Sequence, residues 1–119
     1  MRYLLLICLD GSPADAGTDD TNAQDDIPAI ETWLAETGSR RLVGSPLAKP
    51  ADAVTVRTRG GETLRTDGPY AETKEWIAGF DLIEAASMEE AIEIASRHPV
   101  AHFGMVEVRP FDTGEEQEG

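Results

Sequence analysis

The chain has 119 residues, of which 40% are apolar and 6% aromatic, and a formal charge of −13. That length suits one domain with an aliphatic core and little surface to spare. The acidic balance argues against a basic nucleic-acid-binding face, and no apolar run approaches the roughly 20 residues a membrane span requires.

Tyr3 to Leu9 is a continuous apolar run closed by Asp10-Gly11-Ser12-Pro13, which predicts a first strand covered on both faces. The run is too short for a secretory leader and lacks a small-residue cleavage site. Cys8 is the single cysteine, so no disulfide forms within the chain, and the cytoplasm is the expected location. Residues 10–26 hold six acids and no base, and are read as a solvated acidic loop. Asp25 or Asp26 can then cap a helix with Pro28 in its first turn, Ile27, Ile30 and Leu34 at helical spacing, and Gly38 as its stop. Leu42-Val43 reads as a short second strand that runs into a turn at Gly44-Ser45-Pro46.

Ala53–Thr58 and Thr63–Thr66 flank a Gly60-Gly61 pair and predict a β-hairpin. Asp67-Gly68-Pro69-Tyr70 is a turn. Ile77 to Glu84 predicts a strand with Phe80 and Leu82 on one face and Ile77 and Ile83 on the other. Ser87-Met88-Glu89-Glu90 is a capping box. It opens a helix with Met88, Ala91, Ile92 and Ala95 on one face, stopped at His98 by Pro99. Met105–Arg109 is the last strand, and residues 111–119 form an acidic tail. The order is β-α-β, an inserted hairpin, then β-α-β. This is an α+β, ferredoxin-like β-α-β repeat with both helices on one face of an antiparallel sheet. The uncovered sheet face predicts a homodimer, a dimeric α+β barrel in which two sheets meet across a twofold axis.

Asp67-Gly68-Pro69-Tyr70-Ala71-Glu72-Thr73-Lys74-Glu75 resembles the DGPF signature of the YCII-related protein family, with Tyr70 where Phe is usual. The Arg2-Tyr3-Leu4-Leu5 opening, Gly79-Phe80 and the closing Val106-Glu107-Val108-Arg109-Pro110 agree with it, so the resemblance spans residues 1–110. It implies a ferredoxin-like dimer. In some relatives with a shorter YCII domain it also implies enzymes, one of which removes chloride from a chlorinated hydroxyquinol. Those relatives use a His on the first helix and an Asp in an Asp-Pro after the second. Here the first helix has no His, and the second position reads His98-Pro99. The family's frequent neighbourhood with extracytoplasmic-function sigma factors implies an accessory or regulatory part as a second possibility.

Two residues are candidate catalytic groups. Asp67 is a general base if a dimer cavity desolvates it, or a turn residue that bonds its own backbone. His98 is an acid–base partner, or a cap on the last carbonyls of its helix. Tyr70, Glu72 and Lys74 are candidate ligand contacts, against packing and surface pairing. His98 and His102 are four apart, but Pro99 breaks the helix between them, so no metal site is predicted. No organic cofactor is implied either. Cys8 reads as a buried small residue. Trp33 and Trp76 line an aromatic-ligand pocket or an interface. Two functions follow. One is binding or conversion of a small molecule around Asp67. The other is a non-catalytic module that meets a basic regulatory protein through its acidic loop and tail.

Overall fold

The computed structural model describes residues 1–10, 20–68 and 75–112, and the side chains of the first helix from Ala29 onward. Strand β1 (Arg2–Asp10) leads to helix α1 (Asp20–Thr37) and strand β2 (Arg41–Pro46). Strands β3 (Val54–Arg59) and β4 (Glu62–Asp67) follow, then β5 (Glu75–Glu84), helix α2 (Met88–Ser96) and β6 (Met105–Pro110). Short 3-10 turns occupy Gly38–Arg40, Pro50–Asp52 and Pro99–His102.

The main sheet has the order β2-β5-β1-β6, antiparallel throughout. Each helix crosses between strands that are not neighbours, with β5 or β1 lying between them. This is the arrangement of a ferredoxin-like β-α-β repeat. The hairpin β3-β4 forms a separate two-stranded sheet, in register from Val54–Asp67 to Arg59–Glu62. Its tight end uses Gly60 and Gly61 at φ 59° and 80°, a region that β-carbons disfavour.

The core lies between the sheet and the helices. Tyr3, Leu5 and Ile7 of β1 and Ile83 of β5 meet Trp33 of α1 and Ala91, Ile94 and Ala95 of α2. Leu5, Ile83 and Ala91 are completely buried. The opposite face carries Leu4, Leu6, Phe80 and Leu82, all only half-buried, beside the exposed Val43 and Met105. The register puts these side chains on one face, since Leu4 pairs with Leu82, Leu6 with Phe80, Val43 with Leu82 and Cys8 with Met105.

Several local expectations are corrected. Helix α1 begins at Asp20, not after Asp26, so Pro28 lies inside it and the acidic segment 20–26 is helical. Residues 11–19 and 113–119, the rest of the acidic loop and the tail, lie outside the described residues. Gly44-Ser45-Pro46 belongs to β2 and is not a turn. On β5 the register slips between Ile7–Gly79 and Cys8–Ile77, so Ala78 is an extra bulged residue. The bulge turns Ile77, which is 45% exposed, onto the face of Phe80 and Leu82, away from Ile83. On α2 the buried isoleucine is Ile94, whereas Ile92 is 51% exposed. The Ser87 cap forms as predicted, while the Glu90 carboxylate reaches one residue beyond the cap, to Ala86. Ser87 Oγ accepts from the Glu90 N–H at 3.2 Å, and Glu90 Oε1 accepts from the Ala86 N–H at 2.7 Å.

No described helix is long and apolar enough to cross a membrane.

Candidate functional site

A cavity of about 270 Å³ opens where α1 passes over β2 and the bulged part of β5. Ile7, Ile30, Leu34 and Val100 make its apolar walls, and Arg41, Asp81 and His98 bring its charged and titratable groups. The bulge at Ala78 lies at the cavity wall, and Ala78, Gly79, Phe80 and Asp81 all line it.

Asp81 is an acid in the middle of an apolar strand and is 6% exposed. Burial of an unpaired carboxylate is costly, and Arg41 supplies the partner, with Nε donating to Asp81 Oδ1 at 2.6 Å. The pair bridges neighbouring strands β2 and β5. It is possible because residue 44 is glycine. A Cβ there would overlap Asp81 Oδ1 and the Arg41 guanidinium.

His98 is 5% exposed and stands edge-on to Trp33, with ring centroids 4.7 Å apart. The indole is fixed in turn, because Trp33 Nε1 donates to the Ile94 carbonyl at 2.9 Å. His98 Nδ1 accepts the Val100 N–H at 3.1 Å and so caps the Pro99–His102 turn. This corrects the expectation that His98 caps the last carbonyls of α2. Burial lowers its pKa from the ordinary histidine value, and the Asp81 charge opposes that shift only in part. The ring is therefore neutral near pH 7. With Nδ1 occupied as an acceptor, its proton sits on Nε2, so His98 offers a hydrogen-bond donor.

The other predicted site residues do not join this cluster. Asp67 is exposed at the end of β4 and does not line the cavity. Gly68 beside it has φ 91° and ties the turn to β3, its N–H donating to the Ala53 carbonyl at 2.6 Å. Tyr70, Glu72 and Lys74 lie outside the described residues. His102 is exposed, and no three His, Cys, Asp or Glu side chains gather as a metal centre would need among the described residues. Cys8 is buried, and burial pushes its thiol pKa up, with Glu107 and Glu75 adding to the effect. It is a packing residue rather than a nucleophile. Trp33 lines the cavity, as one sequence alternative held. Trp76 does not, and its buried Nε1 has no hydrogen-bond partner among the described residues.

Arg41 and Asp81 were not singled out by the sequence. Asp81 left a signal, a lone acid within Ile77–Ile83 at a position whose neighbours are apolar. Arg41 left none, since a base at the start of a strand is ordinary.

The sheet order, the two helices on one face and the inserted hairpin define a ferredoxin-like α+β protein with a small polar-floored cavity. The YCII-related domain family matches residues 1–112, and the chain belongs to that family. An uncharacterised protein of Rhizobium meliloti (strain 1021) is 37% identical over 115 residues, which cover 93% of this chain and 92% of that one. Among solved structures, 5-chloro-2-hydroxyhydroquinone dehydrochlorinase of Burkholderia phenoliruptrix AC1100, in complex with 2,5-dihydroxybenzoquinone, shares the fold. Its TM-score is 0.54 at 17% identity, with 94% of each chain covered.

Proposed function

We propose that this protein binds a small polar ring compound in the α1-β2-β5 cavity, and that any conversion there proceeds by proton transfer. The observation that carries this reading is the arrangement of Asp81 and His98. One is a buried carboxylate and the other a neutral imidazole held in a single tautomer, and both line one small apolar-walled space. Such a space, with a few convergent polar groups, is the usual form of a small-molecule site. Its volume lies just below the range of about 300–1,000 Å³ typical of drug-sized ligands.

In this reading Asp81 accepts a proton or hydrogen bond from the ligand, and His98 donates from Nε2 to a ligand oxygen. Action of His98 as a base through Nε2 would require the other tautomer and the loss of the Val100 N–H bond, so the base role passes to Asp81. The dehydrochlorinase that shares the fold acts on a hydroxylated ring, which supports the compound class without fixing the reaction. Asp67 takes part only if a second copy of the chain brings it to the cavity, because in one chain it stands on the exposed hairpin. A homodimer, formed through the open sheet face, belongs to the same proposal.

The test is a screen of single-ring hydroxylated and carboxylated compounds, read by amide chemical shifts. The expected result is a set of shifts clustered at Ala78–Asp81 and Val100, weakened in Asp81→Asn and His98→Asn. Shifts confined to other surfaces, or binding indifferent to both substitutions, would remove the cavity from consideration. The non-catalytic alternative rests on the acidic segments. It gains ground if deletion of residues 113–119 abolishes capture of a basic protein partner while the cavity stays silent to every compound.

A further inference from the structure

The strongest feature that this reading leaves unused is the outer edge of the Arg41 guanidinium. We propose that Arg41 is the anchor for an anionic group, and that the ligand class of the cavity is a single-ring aromatic carboxylate. This rests on the cavity being a ligand site, and adds to it the sign of the ligand's charge.

Arginine has five N–H donors in a rigid planar fork. Only Nε is engaged, by Asp81 Oδ1 at 2.6 Å. The remaining four have no hydrogen-bond partner among the described residues, although Arg41 lines the cavity and its side chain is only 28% exposed. A fork held by one edge and open along the other fits a carboxylate, which accepts two parallel N–H bonds. Asp81 is the device that holds it. The bond to Nε fixes the plane of the guanidinium, so less side-chain freedom is lost when a ligand arrives.

The surroundings select against the other charge classes. Among the described residues Arg41 is the one cation that lines the cavity. Its counter-charge, Asp81, is nearly excluded from solvent and committed through Oδ1. His98 is neutral near pH 7 and offers a donor rather than a competing negative charge. A ligand cation would therefore meet Asp81 only beside the guanidinium that already compensates it. The walls supply the rest of the description. Trp33 and the His98 ring present aromatic surface, and Ile7, Ile30 and Leu34 present aliphatic surface. A flat ring packs against such walls, and 270 Å³ leaves no room for a large second group. Gly44 completes the arrangement, because any side chain there would strike the guanidinium and Asp81 together.

Benzoate and its uncharged isostere benzamide separate the two levels of the argument. Titration calorimetry at pH 7 in low salt is expected to show benzoate binding about tenfold or more tighter than benzamide, the margin of a charge-assisted hydrogen-bonded pair. Arg41→Lys should lose most of that preference, because a point charge does not reproduce the fork. Arg41→Met leaves the Asp81 carboxylate buried without its partner. The double variant Arg41→Met/Asp81→Asn is therefore measured beside it, with circular dichroism to verify folding. In the double variant the two probes are expected to bind equally, the preference for benzoate being lost whatever affinity Asp81→Asn takes from both. If wild type binds both probes equally, the anionic anchor is overturned and the cavity reading survives. If neither probe binds at millimolar concentration, both fall together.

Discussion

At the residue scale, the cavity depends on what residue 44 lacks. A methyl group on Gly44 would overlap Asp81 Oδ1 and come within 2.8 Å of the Phe80 carbonyl, which belongs to the neighbouring strand and cannot swing aside. Gly44→Ala is therefore expected to lower unfolding free energy by about 1–3 kcal/mol in urea titrations, the usual effect of overpacking. An unchanged midpoint would mean that the Arg41–Asp81 pair is not held as described. His98 makes a second prediction, on pH. Its folded pKa lies below the unfolded value of about 6.5. Above the unfolded pKa both states are neutral and the full stability is present. As pH falls through that value, the unfolded chain binds a proton that the folded chain refuses, and stability drops until the folded pKa is reached. Wild type should thus lose more stability between pH 7 and pH 5 than His98→Asn, whose side chain has no proton to gain. Parallel losses in the two proteins would remove His98 from the account. Neither effect was readable from the chain alone. Gly44 looked like a turn former before Pro46, and the burial of His98 depends on Trp33, which lies 65 positions away in the sequence.

Elements were more legible than residues, because their signals are local. The capping box at Ser87 marked the start of α2, the Gly-Gly pair marked the hairpin, and short apolar or β-rich runs marked the strands. The misses occurred where a distant element decides. The α2 pattern allows Ile92 or Ile94 to join Ala91 and Ala95. The winning face is the one packed against α1, where the Ile94 carbonyl receives the Trp33 indole. The start of α1 was placed too late because Asp, Thr and Asn have low helix propensity and Pro28 favours a first turn. The bulge at Ala78 carries no sequence mark except neighbouring Gly79, where an added Cβ would press on the Ser45 carbonyl at 3.0 Å. The cap itself is testable. Ser87→Ala removes the acceptor of the Glu90 N–H and leaves the cavity untouched. It should cost about 1 kcal/mol in denaturant unfolding with no change in ligand affinity, and an altered affinity would show that α2 and the cavity are coupled.

The whole molecule is less compact than its length predicts. Its radius of gyration is 16.5 Å, against about 13.5 Å for a compact domain of this size. The β3-β4 hairpin has its own small sheet and exposes Val54, Val56 and Leu64 at 45%, 60% and 49%. A lone two-stranded hairpin is marginal in water. The main sheet leaves a second apolar surface open, with Leu4, Leu6, Phe80 and Leu82 at its centre and the Arg2–Glu84 and Arg109–Glu107 pairs toward its rim. An apolar centre with a charged rim is the anatomy of an interface, and a self-complementary sheet face closes under a twofold axis. Light scattering at micromolar concentration is therefore expected to give twice the chain mass of 12.9 kDa. Leu82→Lys is the sharper test, because Leu82 sits between Leu4 and Val43 in the register and does not line the cavity. A charge there should shift the protein to the monomer mass, since burial of an unpaired ammonium between two sheets costs several kcal/mol. A Leu82→Lys protein that folds and keeps the dimer mass would move the interface to the hairpin. A wild type that scatters as 12.9 kDa would leave Asp67 without any second chain to carry it to the cavity.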